Sequence, residues 1–345
     1  MRRTKGAAES WAKNNVPADQ KCKGYDEVDE LLSDPRVTAV YISTPPGSHL
    51  EIAKRVALAG KPAYIEKPVG RCYKETSEIV ELFRKSNVKC FTAYTSRAFE
   101  RTSAVVKILT EGAIGERVTS ISYTCRGSGL VRGLDSESQI PWRLDASQSG
   151  GGLVMDIGCH LLDRIDYIFG PLIDVVGEAK NCSSNKVQQV ENIVHLKATI
   201  GSSSWSCIES KGASVQCVWD FNNEKNESPI DELIIRGSNG GCLKMAGMSP
   251  SLPISVLDAD DKVIKTMAFK APEHATQPLL QLVTDEIRLG SSVIPSPSNG
   301  ENALRTSAVL DAALNAYYGN RSDEFWNRSN TWPGLLLREQ TIKLV

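Results

Sequence analysis

Asp156 and His160 are residue types that can move a proton, and they stand four positions apart in the sequence. Apolar residues recur around them at helical spacing over residues 153–168, which predicts a helix that Gly170 ends. On one face of that helix, a carboxylate beside an imidazole raises the protonated fraction of the ring and orients it. This arrangement suits proton transfer near neutral pH. The alternative is a capping aspartate and a hydrogen-bonded histidine on an ordinary buried helix.

Three consecutive glycines, residues 150–152, stand immediately before this helix. Glycine adopts backbone angles that are closed to other residues. The run therefore predicts a tight turn that ends a loop and starts the helix.

Lys67 is a second candidate for chemistry, because it stands in the sequence Glu66-Lys67-Pro68 at the end of a predicted strand. Thr44 and Pro45 end the preceding strand in the same way. The prolines block further ladder pairing, so the chain must leave the sheet at these points. Ligands bind at the carboxyl ends of the strands in open α/β sheets, which makes Lys67 a candidate site residue. The alternative is a solvated loop lysine.

The stretch that positions these residues alternates short apolar runs with helical ones. Strands are predicted over residues 38–42, 62–65 and 89–93, and helices over residues 49–59 and 75–86. Apolar strands that are each followed by a helix indicate a parallel sheet covered on both faces, which is half of a doubly wound fold. A dinucleotide-binding unit opens with a strand and a G-x-G-x-x-G turn. No such glycine pattern precedes Thr38.

The order of these motifs resembles the Gfo/Idh/MocA family, the relatives of glucose–fructose oxidoreductase and inositol dehydrogenase. The resemblance runs from about Arg3 to about Tyr318 and rests on four features in succession. They are a strand ending in Thr-Pro, a helix opened by His49, a strand ending in Glu-Lys-Pro, and a later Asp-x-Gly-x-His. The resemblance implies an oxidoreductase that moves a hydride between NAD or NADP and a hydroxyl-bearing carbon of a sugar, polyol or related alcohol.

The resemblance also implies roles for individual residues. His160 would take or give the hydroxyl proton, Lys67 would stabilise the developing alkoxide and position the ribose, and Asp156 would hold the substrate and His160. The residues expected at the cofactor are Arg3, Thr44, Pro45, His49, Glu66, Lys67, Arg97, Trp142 and Arg143. For His49 the alternative is a residue that merely starts a helix, and for Arg97 it is a structural salt bridge.

Arg3 bears on the choice of cofactor. A basic residue after the second strand of such a domain can meet a 2′-phosphate, whereas an acidic residue binds the free ribose hydroxyl. Arg3 therefore favours NADP over NAD.

By the same resemblance, the first strand, its helix and the second strand of the dinucleotide-binding domain are not found in this chain. We therefore expect residues 1–95 to form an N-terminally truncated Rossmann-like parallel sheet with impaired nucleotide binding. Two other functions stay open: a non-catalytic or regulatory remnant of the family, and a variant that cleaves glycosidic bonds through transient oxidation.

Residues 96–320 read as an α+β domain for substrate binding and dimerisation. Short strand-like runs separated by turn residues predict a mostly antiparallel sheet, in which residues 204–209 are one of the expected strands. Helices over residues 277–289 and 302–318 are expected to pack at the junction of the domains. The resemblance implies a homo-oligomer formed through this sheet. Residues 321–345 form a polar tail without an assigned role.

The composition excludes several classes of partner. The chain has 345 residues and a net charge of −1, so it has no basic footprint for nucleic acid or for anionic membrane surfaces. Its nine cysteines show no C-x-x-C and no paired ligand spacing, which argues against a zinc site and a disulfide framework. Reduced thiols and the lack of a secretory signal favour a cytosolic or organelle-matrix enzyme, and we expect a cytoplasmic one.

Overall fold

The computed structural model describes residues 4–17, 20, 22–127, 141–183, 190–222, 228–319 and 321. Arg3, which is expected at the cofactor, and most of the 321–345 tail lie outside these residues.

The first sheet is parallel and has three strands, in the order β1-β2-β3. The strands are β1 (Val40–Ile42), β2 (Ala63–Ile65) and β3 (Cys90–Thr92). β2 is buried along its whole length because it lies between the other two strands. Within the part of the chain that the structure describes, β1 pairs with β2 alone.

Four helices belong to this part of the chain. They are α1 (Ala7–Asn15), α2 (Val28–Ser33), α3 (His49–Leu58) and α4 (Tyr73–Lys85). Helix α3 buries Ala53, Val56 and Ala57, which recur at the spacing of one helix face. The alternation of strands and helices confirms the predicted Rossmann-like arrangement.

The second sheet has eight strands, in the order β11-β10-β9-β8-β4-β7-β6-β5. The strands are β4 (Val118–Arg126), β5 (Leu172–Lys180), β6 (Ile193–Ile200), β7 (Ser214–Asp220), β8 (Ile230–Gly237), β9 (Cys242–Met245), β10 (Ile254–Leu257) and β11 (Val263–Met267). Among the described strands of this sheet, only β4 and β7 pair in parallel, so the prediction of a mostly antiparallel sheet is confirmed. Burial alternates along β6 and β7, which leaves one polar outward face that includes His195, Lys197 and Gln216.

The remaining helices connect the two sheets. They are α5 (Glu100–Thr110), α6 (Ala146–Ser149), α7 (Cys159–Phe169), α8 (Gln277–Leu289) and α9 (Gly300–Tyr318). Helix α9 contacts α4, α7 and β5, and α8 packs on Tyr64 and Phe91 of the first sheet. The side chain of Asn299 caps the start of α9. Helix α9 thus ties the element that carries the Asp-x-Gly-x-His motif to the Rossmann-like part.

The prediction of a strand over residues 204–209 was wrong. This segment is a loop whose polar side chains hydrogen-bond the carbonyls at the end of α7. The hydroxyl of Ser206 donates to the carbonyl of Ile168 at 2.6 Å, and the indole of Trp205 donates to the carbonyl of Asp166 at 2.9 Å. The carbonyl of Ile168 lies in the last turn of α7, where α-helical donors are lacking, and Ser206 supplies one, whereas the carbonyl of Asp166 accepts from Trp205 in addition to the N–H of Gly170. No helix in the described ranges is long and apolar enough to span a membrane.

Candidate functional site

Two of the three consecutive glycines are required for space and not for unusual backbone angles. Of the three, only Gly150 has a positive φ, of 89°. A Cβ on Gly152 would lie 2.3 Å from the backbone carbonyl oxygen of Glu191. The Gly152 N–H donates to both carboxylate oxygens of buried Glu191 at 2.9 Å. The glycine run therefore lets this segment dock closely on Glu191, so that the next helical turn starts at a fixed place.

That turn is a π-helical one, Val154–Gly158, and α7 comes directly after it. In a π-helical turn the backbone hydrogen bonds join residues five apart, so one more residue is accommodated than in an α-helical turn. Asp156 lies inside the π-turn and His160 lies in α7. The prediction of a regular helix over both residues was correct in place but wrong in geometry.

Lys67, Asp156 and Arg143 form one charged cluster at the carboxyl end of β2. The Lys67 ammonium donates to Oδ1 of Asp156 at 2.7 Å and to its backbone carbonyl at 2.6 Å. Nε of Arg143 donates to Oδ2 of Asp156 at 3.0 Å, and the guanidinium lies 4.3 Å from the ring centroid of Trp142. Trp142 and Arg143 belong to a 3₁₀ turn, Trp142–Leu144. The structure thus brings together four residues that the sequence places in three separate motifs.

The charges in this cluster hold both Asp156 and Lys67 in their ionised forms. Burial alone would raise the pKa of Asp156, but the Lys67 ammonium and the Arg143 guanidinium outweigh it and lower that pKa. Burial likewise opposes the Lys67 ammonium, but the neighbouring acidic groups of Cys159 and Asp156 outweigh it and raise the pKa of Lys67. Lys67 therefore carries a fixed positive charge at neutral pH.

His160 is not hydrogen-bonded to Asp156, which corrects the expectation drawn from their spacing. Among the described residues, no hydrogen bond joins the two side chains, because the Asp156 carboxylate is taken by Lys67 and Arg143. Burial, together with repulsion from the Lys67 ammonium, lowers the pKa of His160 to about 3. The ring is therefore neutral near neutral pH, and not protonated as the spacing suggested. The ring of Tyr94 meets it edge-on, with the centroids 6.3 Å apart.

His160 lines a cavity of about 190 Å³ between α7, the segment before α5 and the loop after β9. Thr95, Ser96, Arg164 and Met248 are among the residues that share this wall. Arg164 was missed in the sequence, although its position one helical turn after His160 places both side chains on the same face of α7. The spacing was the signal that could have found it.

His49 holds the two strand-end loops together. Its ring nitrogens lie 2.7 Å from the carbonyl oxygen of Thr44 and 3.0 Å from that of Val69, and the side chain is fully buried. Burial lowers the pKa of His49. A neutral imidazole donates through one nitrogen only, so it makes one of these two hydrogen bonds. The structure therefore shows His49 as a residue that positions the loops.

Thr44, Pro45 and Glu66 lie at the carboxyl ends of β1 and β2, as predicted. Pro45 immediately precedes the 3₁₀ turn Pro46–Ser48. Glu66 accepts a hydrogen bond from the hydroxyl of Tyr41 on β1. The Thr44 hydroxyl is buried and finds no hydrogen-bond partner in the part of the chain that the structure describes, so it can bond a molecule bound at this edge.

Arg97 is in a structural salt bridge. Its guanidinium donates to both carboxylate oxygens of Asp163 at 2.8 Å and to Asp166 at 3.1 Å. A third contact, at 3.1 Å, goes to the carbonyl of Pro297. The Arg97 side chain is 4% exposed, and these bonds occupy it. Of the two interpretations of Arg97, the structural one fits this geometry.

No group of three or more His, Cys, Asp and Glu side chains in the described ranges is arranged to hold a metal ion. The polar groups that converge at the strand ends are instead suited to an organic ligand with hydroxyl groups. They are an ammonium, a neutral imidazole and an unpartnered hydroxyl.

Two family models match the chain. A model described as an oxidoreductase family with an NAD-binding Rossmann fold matches residues 4–94, and a GFO/IDH/MocA C-terminal domain model matches residues 102–242. Together they cover about two thirds of the chain.

Individual relatives agree with these matches. Oxidoreductase P35 of Formosa agariphila is 26% identical over 286 residues, which cover 81% of this chain and 79% of that protein. Among solved structures, aldose-aldose oxidoreductase from Caulobacter crescentus complexed with glycerol has a TM-score of 0.72 at 20% identity, covering 91% of this chain and 87% of that one. Levoglucosan dehydrogenase in complex with NADH and levoglucosan has a TM-score of 0.70 at 19% identity, covering 91% and 86%. The two structural likenesses show a shared fold.

Proposed function

The chain belongs to the Gfo/Idh/MocA family of oxidoreductases, and we propose that it oxidises a CH–OH group of a sugar, polyol or related alcohol to the carbonyl, or reduces that carbonyl in the reverse direction. The observation that carries the proposal is the meeting of Lys67 with Asp156 across 89 positions of sequence, close enough to His160 for the ammonium to lower the pKa of its ring. The relatives whose names specify sugar substrates support the same substrate class.

The proposed chemistry assigns one task to each side chain. In the oxidation direction, the neutral His160 ring accepts the proton of the substrate hydroxyl. The Lys67 ammonium stabilises the negative charge that develops on that oxygen. Asp156 fixes the position of Lys67 through the 2.7 Å bond and keeps it charged. Arg143 donates a hydrogen bond to the Asp156 carboxylate and thereby restricts its rotation.

A bound nicotinamide would supply the hydride acceptor or donor. The unpartnered Thr44 hydroxyl, Glu66 and Lys67 would hold the nicotinamide end, with Pro45 and His49 shaping the loop. We propose NAD or NADP as the cofactor. The preference for NADP rests on Arg3 alone, which lies outside the described residues.

We further propose that this 345-residue chain binds the dinucleotide weakly. Only Gly6 and Gly24 precede β1. A Cβ on Gly24 would lie 2.1 Å from the backbone nitrogen of Glu9, so Gly24 packs on α1, and the Gly6 N–H donates to Asp26. Neither glycine comes after a strand in the described ranges. Losing two or three charge-assisted bonds to the pyrophosphate weakens binding by roughly 3–9 kcal/mol, which turns a micromolar site into a millimolar one or worse.

The test is a titration of the purified 345-residue protein with NADH and NADPH, followed by nicotinamide fluorescence. Weak binding of both is the expected result, and low-micromolar binding would contradict the proposed impairment. A screen of sugars and polyols with oxidised cofactor at millimolar concentration then tests the activity itself. Absence of turnover with bound cofactor would favour the alternative of a non-catalytic remnant, which the glycine pattern before β1 supports. No observation favours the variant that cleaves glycosidic bonds over the oxidoreductase or the non-catalytic remnant.

We also propose that the chain forms a homo-oligomer through the outward face of the eight-stranded sheet. This face is polar at its centre, and Ile173 and Val176 are exposed at its β5 edge. Light scattering at tens of micromolar should give a mass above that of the monomer, because an interface of ordinary size persists at that concentration.

The nine cysteines are all unpaired, which supports a reducing compartment such as the cytoplasm.

A further inference from the structure

Two buried arginines, Arg101 and Arg164, lie beside the cavity of His160 without a carboxylate partner among the described residues. Arg101 is 2% exposed and Arg164 is 6% exposed. Neither forms an ion pair within 4.0 Å in the described ranges, whereas the buried Arg97 pairs with two aspartates. A buried cation without a counter-ion is costly unless a ligand supplies the missing charge.

The two arginines differ in how many of their N–H groups remain free to donate a hydrogen bond to a ligand. Arg101 donates to the backbone carbonyls of Ser249 and Leu252 at 2.8 Å, and its Nη2 has no hydrogen-bond partner within the described part of the chain. Among the described residues, Arg164 donates only to the carbonyl of Gly247. Four of the five N–H groups of Arg164 are therefore available. Arg164, but not Arg101, lines the cavity.

The charges around the cavity leave a positive excess. Burial and repulsion from Arg164 lower the pKa of Arg101 to about 10, so the two guanidinium groups act on each other. Burial lowers the pKa of Arg164, and Tyr123 and Asp231 oppose this, whereas the carboxylate that raises the pKa of both arginines is that of Asp231. Its carboxylate already accepts from the N–H groups of Gly247 and Met248 and from the Tyr123 hydroxyl. One carboxylate therefore faces two guanidinium groups.

A second polar group points to a ligand at the same place. The hydroxyl of Ser96 is buried and has no partner among the described residues, and Ser96 lines the cavity while being only 6% exposed. The cavity of about 190 Å³ is smaller than the roughly 300–1,000 Å³ typical of pockets for drug-sized ligands. The part of a ligand that the cavity encloses is therefore small, of the size of a single sugar ring.

We propose that this cavity binds a substrate that carries a carboxylate, with Arg164 as the residue that binds it and Ser96 as a further hydrogen-bonding group. The guanidinium fork matches the two oxygens of a carboxylate, and one turn of α7 separates it from His160. The substrate class is then an acidic sugar, oxidised at a hydroxyl carbon or reduced at the corresponding carbonyl, with His160 in the same cavity wall. This inference rests on the proposed oxidoreductase function for the reaction, but the binding of the carboxylate stands apart from it.

Calorimetric titration tests the inference without any turnover. The probes are D-glucuronate, D-glucose and D-glucose 6-phosphate, each added to the wild-type protein, to Arg164→Gln and to Arg101→Gln. Wild-type protein should prefer glucuronate over glucose by roughly 10- to 100-fold, the range of a charge-assisted hydrogen bond. Arg164→Gln should lose this preference. Arg101→Gln is the matched control, because it also removes a buried arginine that anchors the same loop, but from outside the cavity wall.

The outcomes separate the possibilities. Equal affinity for glucose and glucuronate in the wild type, or tighter binding of the phosphate ester, would overturn the carboxylate assignment even if a neutral sugar is turned over. Equal loss of the preference in both variants would show that the arginines act by holding the loop, which also overturns the role of Arg164. Glucuronate binding that depends on Arg164, without turnover of any substrate when the cofactor is bound, would support the inference and contradict the oxidoreductase function.

Discussion

Two clusters of charged side chains share the helical segment of residues 154–169, one through Asp156 and the other through Asp163 and Asp166, and they differ in burial and in the completeness of their hydrogen bonding. The first, which we call the reactive cluster, is Lys67, Asp156 and Arg143, with side chains that are 14%, 17% and 51% exposed. The second, the structural cluster, is Arg97, Asp163, Asp166 and Arg305, with exposures of 4%, 0%, 3% and 32%. The residue types are almost the same in both.

The structural cluster is fully satisfied. Oδ1 of Asp163 accepts from Arg97 and from the side-chain amide of Asn302, both at 2.8 Å. Asp166 accepts from Arg305 through both of its oxygens at 2.8 Å. This cluster thereby joins α7 to α9. The reactive cluster keeps access to solvent at the strand ends, so its lysine can meet a ligand.

Residue type alone therefore does not separate a site from a scaffold. Arg97 and Lys67 were both candidates from the sequence, and the difference between them is which carboxylates surround them and how completely. A cation that is enclosed by acceptors stabilises the fold, whereas one that is held by a single carboxylate and stays partly exposed retains capacity for chemistry.

The largest expected effect is on catalysis by the reactive cluster. Lys67→Ala should lower kcat roughly 10²–10⁴-fold on the substrate found by screening, since the variant loses the charge that stabilises the alkoxide. Its stability should change little, because Asp156 keeps the salt bridge to Arg143. Lys61→Ala is the control, since Lys61 bonds only backbone carbonyls of Asp34 and Val37 among the described residues. Turnover of Lys67→Ala at the wild-type rate would remove the distinction between the two clusters.

The next effect is on stability through the structural cluster. Arg97→Met should lower the free energy of unfolding by about 3–5 kcal/mol, because Asp163 is then left buried without its counter-ion. Arg305→Gln should cost only about 1 kcal/mol, since that guanidinium is one-third exposed and Asp166 retains Arg97. Urea denaturation of both variants measures the difference. Similar losses in the two would show that burial is not what distinguishes the members of this cluster.

The smallest effect concerns the neutral ring of His160. The pKa of His160 in the folded state is lowered to about 3 from an ordinary value of 6.5. The unfolded chain therefore binds a proton that the folded chain does not, and stability is lost as the pH falls below 6.5. Between pH 6 and pH 5 the loss is about 1 kcal/mol for this group. His160→Asn should show a shallower decline over that interval by urea denaturation.

The control for this measurement is His274→Asn, which removes an exposed histidine whose ring bonds the neighbouring Thr276. The fully buried His49, whose pKa is also lowered, remains in both variants and contributes a decline in the same direction. An unchanged decline in His160→Asn would mean that His160 titrates alike in the folded and unfolded chain, which would contradict its assignment as a neutral base.

Much of the fold could be predicted because its buried elements carry a simple pattern. The run before Glu66 predicts β2 to within one residue, since a central parallel strand is apolar throughout. By contrast, β11 was missed, because its side chains are almost all exposed and it shows no buried alternation. Residues 204–209 have strand-like residues, but their hydroxyl and indole groups bond the end of α7 instead. That role depends on a distant element, which a local pattern cannot show.

The candidate site could be predicted in membership more than in geometry. The strand ends place Lys67 and Thr44 at one edge of the sheet, as the topology of parallel strands requires. The neutral state of His160 and the bond of Asp156 to Lys67 could not be predicted from spacing, since both depend on charges that come from other segments. The spacing of Arg164 from His160 could have marked it as a candidate, but its lack of a carboxylate partner among the described residues is visible only in the structure.

Because of the π-turn Val154–Gly158, side chains before and after the turn point in different directions around the helix axis. We call these directions the two phases of the segment. Each residue of an α-helix advances by about 100°, so one extra residue rotates the preceding part of the helix by about that angle relative to α7. Asp156 belongs to the earlier phase and is aimed at Lys67, whereas His160 and Arg164 belong to the later phase and share the cavity wall. Removing a single residue from the turn would bring the two phases into line. The Asp156 carboxylate would then point away from Lys67. The one additional residue of the π-turn therefore allows the same helical segment to bond Lys67 through Asp156 and to line the cavity through His160 and Arg164.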